Sequence, residues 1–278
     1  MKKNNEENMN NEIITPEEIT SMEKIISPEE EKRLAFAEQQ MVMQEIYQQG
    51  FSEHIKSLAD LGDNFNLEKH QLNPESGICV CCMDERTPRG KHAAGSGMLL
   101  SDEELDDFVK EAQPDSFSSH DGCGAAKLYC KKYGLPLEKS DEIAKEWAKE
   151  KADKYGKKYF HIPFSEMIGS KEFHSARVAY FDNTGIFNYD RKDKSLPQGF
   201  MINRRDLKKE SALEEIKVAL NIIFGDHGLK DLLTPENPFV MVAIASNQEE
   251  LEQLKTELTG IEYQFGDRVK IDGFVKPE

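Results

Sequence analysis

Phe239-Val240-Met241-Val242-Ala243-Ile244 is the strongest strand pattern in the chain, and helical spacing follows it over about 248–258. Working outward, a long helix is expected near 207–224. Residues 176–181 and 185–187 flank Asp182-Asn183-Thr184 and read as a β-hairpin. Further upstream, a charged amphipathic helix is expected over about 141–155, with Ile143 and Trp147 on one face and Trp147 as a core anchor. Ser101 and Glu104 form a capping box that starts another helix. Ser76-Gly77-Ile78-Cys79-Val80-Cys81-Cys82 is a short buried-strand pattern entered through Pro74. Strands alternating with helices predict an α/β fold with a central, partly parallel sheet flanked by helices. In such sheets ligands sit at the carboxyl ends of the strands.

The N-terminal part is different. Residues 1–27 are Asn- and Glu-rich and are expected to be flexible. Thr15-Pro16-Glu17-Glu18 and Ser27-Pro28-Glu29-Glu30 each carry a hydroxyl N-cap, a proline at the first helical position and a Glu at the third. From Pro28 onward the spacing is helical. Leu34, Met41 and Ile46 form a stripe that Phe51, Ile55 and Leu58 continue after Gly50. A helical arm over 28–66 is expected, laid over the core or docking a partner, with the α/β domain occupying 67–278.

The chain has 278 residues and a net charge of −16 from 36 Lys+Arg and 52 Asp+Glu, which argues against a duplex-binding face. No apolar run approaches a membrane span, and no apolar leader is visible, so a cytoplasmic protein is expected without nucleic-acid or membrane partners. Five cysteines is an odd count that favours metal or catalytic use over a disulfide framework.

Two short stretches carry the chemistry. Cys82-Met83-Asp84-Glu85-Arg86 lies where the first strand stops. Side chains alternate along a strand, so Cys79 and Cys81 share a face as small buried hydrophobes, while Cys82 is the one placed to react. His120-Asp121-Gly122-Cys123-Gly124 sits at a loop-to-helix junction, where flanking glycines allow a tight turn. Cys82, His120 and Cys123 supply two thiolates and one imidazole, a catalytic zinc set that leaves the fourth tetrahedral position open. Cys130 lies about two helical turns beyond Cys123, roughly 10 Å along the axis, too far for a fourth ligand. A His-x-x-Cys alone is expected by composition about 0.13 times in this chain, and adding the glycine lowers that to about 0.01. A phosphatase-type loop fails on spacing, because it needs five residues between Cys and Arg.

Cys82-x-Asp84-x-Arg86 followed by His120-x-x-Cys123-Gly124 resembles the zinc signature of the β-carbonic anhydrase superfamily. The resemblance implies a zinc lyase that interconverts carbon dioxide and bicarbonate, built on a homodimer. Cys82, His120 and Cys123 would bind Zn2+. Asp84, paired with Arg86, would accept from the zinc-bound water or hydroxide, or ligate zinc in a resting state. The match covers residues 78–126. It departs from the common enzymes in the short gap between Cys82 and His120, in Ser119 where glycine is usual, and in His92-Ala93-Ala94-Gly95 in place of Arg-Asn-Ala-Gly. These features look more like the branch typified by the limiting-CO2-inducible protein B. Two other readings use the same residues: a zinc hydrolase acting on carbonyl sulfide or carbon disulfide, and a zinc-stabilised scaffold without turnover. His92 is a candidate proton shuttle or a satisfied structural histidine. His161 and His174 flank strands and receive no role.

Overall fold

The computed structural model describes residues 26–60, 77–192 and 194–276. The expectations for a flexible 1–25, a helix start at Thr15 and the junction between arm and α/β domain over 61–76 lie outside the described residues.

Ser27 caps α1 (Pro28–Gln49), its hydroxyl accepting from Glu30 N at 3.2 Å with Pro28 in the first turn. Gly50, at φ 81°, breaks the chain before α2 (Phe51–Asp60). There follow β1 (Cys79–Cys81), β2 (Lys91–His92), α3 (Asp102–Ala112), β3 (Ser116–His120), α4 (Gly124–Tyr133), α5 (Ser140–Tyr155) and β4 (Lys158–Ile162). The second half contains β5 (Val178–Asp182), β6 (Gly199–Asn203), α6 (Lys209–Ile223), β7 (Phe239–Ala245), α7 (Gln248–Phe265) and β8 (Val269–Val275). The capping box of Ser101 and Glu104 is present at the start of α3.

The strands form two four-stranded sheets, ordered β2-β1-β3-β4 and β6-β5-β7-β8, and every pairing is parallel. The same strand order is thus used twice. In each half the chain leaves the first strand toward one edge, then crosses to the other side for the third. That makes β1/β3 and β5/β7 the two switch points, where crevices open beyond the strand ends. Met201 N donates to Met83 O at 3.0 Å, and Lys91 reaches Asp206 at 2.5 Å, tying the two halves together.

Alternation explains the unbroken apolar run of β7. Phe239, Met241, Ala243 and Ala245 join the main core with α6 and α7, while Val240, Val242 and Ile244 join a second cluster. That cluster contains Met43, Ile46, Phe51 and Ile55, so the N-terminal arm roofs one face of the second sheet. Each fully buried side chain of this size contributes roughly 1.5–3 kcal/mol. On α5 the buried face is alanine, at 144, 148 and 152, with Trp147 half-buried beside it.

Two expectations need correction. The stripe Leu34–Met41–Ile46 does not exist as a buried face, because Leu34 is 55% and Met41 76% exposed. The arm is held by Met43 and Ile46 and by glutamines instead. Gln39 donates to Ser175 O at 2.9 Å, and Gln40 to Asn237 Oδ1 at 2.6 Å. Residues 176–187 do not form a hairpin either. β5 is a central parallel strand, buried throughout, between β6 and β7. Asp182 Oδ1 accepts from Thr184 N at 2.9 Å and Oδ2 from Gly185 N at 3.1 Å, an Asx turn that leads the chain away from the sheet without reversing it. Among the described residues no helix is long and apolar enough to cross a membrane.

Candidate metal centre

The first switch point holds the residues singled out above. Cys82 follows the last residue of β1, His120 ends β3, and Cys123 occupies the N-cap position of α4. The two Sγ atoms stand 3.9 Å apart, and the ligand atoms of Cys82, His120 and Cys123 all lie within 4.8 Å of one another. All three residues are buried. His120 Nδ1 donates to Asp121 O at 2.9 Å, which leaves Nε2 as the nitrogen that can face a ligand. That Nε2 is buried with no hydrogen-bond partner among the described residues. Buried polar nitrogens are almost always satisfied, and an orphan facing two thiols suits a cation. A buried Cys-His-Cys group able to hold a metal ion is therefore present.

Backbone conformation aims these side chains. Gly122 has φ 68°, and a Cβ there would come within 2.6 Å of the Phe164 ring. Gly95, at φ 59°, brings its N–H to 3.3 Å from Cys82 Sγ, and a Cβ would press on Ala125 and Met98 at 3.1 Å. Asp141 accepts from Gly122 N at 3.0 Å. The Asp121 carboxylate is fixed by His161 Nε2 at 2.9 Å and Phe164 N at 3.2 Å. Ser119 Oγ meets His161 Nδ1 at 3.0 Å and extends this bracing chain.

Asp84 and Arg86 are brought to the same centre. Arg86 donates to Asp84 Oδ1 from its backbone N and from Nε, each at 2.9 Å, and to Oδ2 from Nη2 at 2.8 Å. Asp84 Oδ2 lies 4.0 Å from His120 Nε2. Burial alone would raise the carboxyl, but the Arg86 charge and its hydrogen bonds win and hold Asp84 well below the usual carboxylate range. Without a metal ion, the Cys123 thiol and burial push Cys82 well above its ordinary value. Burial opposes charging of His120, but the neighbouring Cys82 draws it up to about 9. A dication would displace the protons held there.

Two residues that carried no expectation complete the arrangement. His174 Nδ1 meets Glu85 Oε2 at 3.0 Å, and its Nε2 lies 3.4 Å from Arg86 Nη2. With Nδ1–H donating to Glu85, Nε2 accepts from Arg86. Glu85 Oε1 also accepts from Ser175 N at 3.0 Å. Glu85 was visible inside the motif, but nothing local marks His174, which arrives from the second half of the chain.

His92 is buried, with its Nδ1 2.7 Å from Cys82 O and its Nε2 3.5 Å from Asn188 Oδ1, the partners a structural histidine has. Cys79 and Cys81 are buried apart from the centre, as alternation requires. The second switch point carries the Asp182 turn and an Asn183–Glu250 hydrogen bond of 2.5 Å in place of thiols and imidazole. Glu215 on α6 lies under the neighbouring loop. Its Oε1 accepts from Ala94 N at 2.7 Å, Oε2 has no partner among the described residues, and burial raises the acid to about 8.

No family model, curated protein or solved structure matches the chain.

Proposed function

We propose that the protein is a zinc-dependent carbonic anhydrase interconverting carbon dioxide and bicarbonate. The observation that carries this reading is the orphaned His120 Nε2 facing two thiols, with the Asp84–Arg86 pair 4.0 Å away. The donor set suits zinc. Zinc–sulfur bonds of about 2.3 Å at tetrahedral angles separate two sulfurs by about 3.8 Å, against 3.9 Å between Cys82 and Cys123. Two thiolates and one imidazole neutralise a dication and leave the fourth position open.

When bound, zinc supplies a Lewis acid that lowers the pKa of water toward ~7. Everything else is the work of the chain. Cys82, His120 and Cys123 hold the ion, and the two thiolates soften its acidity relative to an all-histidine site, moving activity toward alkaline pH. Asp84 accepts the hydrogen bond that orients the attacking oxygen. Arg86 keeps Asp84 ionised and aimed, and Glu85 with His174 keeps Arg86 from turning away. A purely structural zinc site would need none of these last four residues. The homodimer implied by the resemblance is tested by light scattering. Five unpaired thiols support a reducing, cytoplasmic setting.

The test is Asp84→Ala, with zinc content and hydration measured on the same preparation. Retained zinc with hydration reduced by on the order of 100-fold or more supports the proposal. Unchanged turnover overturns it.

A further inference from the structure

A cavity of about 380 Å³ lies beside the metal centre, bordered by Arg86, which grips Asp84, and by Gly122, next to Cys123. His174 also lines it, as do Lys127, Lys131 and Lys171. Lys127 and Lys131 stand one turn apart on α4, and so share a face. Lys171 comes from a different segment, its ammonium 5.8 Å from the centre of the Phe164 ring. All three are exposed, and among the described residues none is paired with a carboxylate. The acids on this cavity are Glu172 and Asp226, and Asp226 is held by Lys230 at 3.1 Å. His227 is also at the wall. A chain of net charge −16 thus carries a locally cationic cavity beside its metal centre.

We propose that this vestibule is an anion-collecting site in which Lys127, Lys131 and Lys171 gather bicarbonate before it reaches the metal and hold it as it leaves. The identity of the anion rests on the hydratase reading, while the binding of a small oxyanion does not. Carbon dioxide is neutral and gains nothing from the lysines, so bicarbonate is the reaction partner they recognise. Three cations around a concave cavity raise the local potential and with it the local anion concentration. The cavity is far larger than a four-atom oxyanion, so the ion is held through water as well as by direct contact. Long-range attraction of this kind is screened by salt.

The test uses the full-length, zinc-loaded protein and 13C-labelled bicarbonate, with binding read from line broadening at low and high ionic strength. K127Q/K131Q/K171Q should weaken bicarbonate binding by on the order of tenfold and flatten its salt dependence, with zinc content unchanged. The charge-keeping K127R/K131R/K171R should bind as the parent does. Equal affinity and equal salt dependence in the glutamine variant would overturn the proposal, as would an arginine variant that loses as much as the glutamine one. The readout does not require turnover. Bicarbonate binding that depends on the lysines in a protein without hydration would remove the hydratase reading and keep the vestibule. Hydration with lysine-independent binding would do the reverse.

Discussion

Arg86 closes on Asp84, two residues before it, with three hydrogen bonds of 2.8–2.9 Å, and the two side chains are almost wholly buried together. A buried ion pair of this kind is not needed for stability, because apolar residues of equal volume serve a core as well. Its value lies in fixing a carboxylate beside the orphaned His120 nitrogen.

Arg86→Met leaves that carboxylate buried and unpaired, and should cost about 3–5 kcal/mol of stability, read from denaturant unfolding. Arg86→Lys keeps the charge but not the bidentate grip, so it should retain zinc and lose most hydration. Asp84 titrates below its ordinary value of 3.8 in the folded chain. Its stabilisation is therefore complete above that value and is lost only as pH falls further.

His174→Ala and Glu85→Gln each release Arg86 on its outer side. Either change should lower hydration by about 10–100-fold while zinc stays bound, since neither residue touches the metal. A drop in zinc content equal to the drop in rate would mean that the pair supports the fold and not the chemistry.

Zinc affinity should rise with pH, because the thiol of Cys82 and the imidazole of His120 hold protons that the ion must displace. Competition with a chromophoric chelator at several pH values measures this. Cys82→Ser should abolish tight binding.

Glu215 gives a pH signature away from the metal. Burial raises it from 4.5 to about 8, so between those values the folded chain holds a proton that the unfolded chain has released. Stability is then fully present below 4.5 and declines as pH rises toward 8. Glu215→Gln should flatten that decline, and thermal melts across the interval would show it.

The legible parts of the sequence are those where one physical signal dominates. Phe239–Ala245 announces itself because both faces of β7 are buried, and the start of α3 because Ser101 and Glu104 satisfy each other's backbone. β2 is two residues long and polar. It stays hidden because its lysine and histidine are satisfied by Asp206 and by Cys82 O, partners far from any local pattern. The Asp182 turn misleads because the same residue types that close hairpins also build Asx turns. Cys82, His120 and Cys123 are legible as two thiols and an imidazole at the ends of predicted elements, whereas Asp84 and Arg86 stand out only through the resemblance. His174 is not legible, since only the docking of the two sheets brings it to Glu85.

Stopped-flow carbon dioxide hydration, on full-length protein of known zinc content, tests the central claim most directly. The account predicts hydration above the buffer rate, proportional to bound zinc, lost on chelation and restored when zinc is returned. Full zinc occupancy with a rate no different from buffer would contradict it.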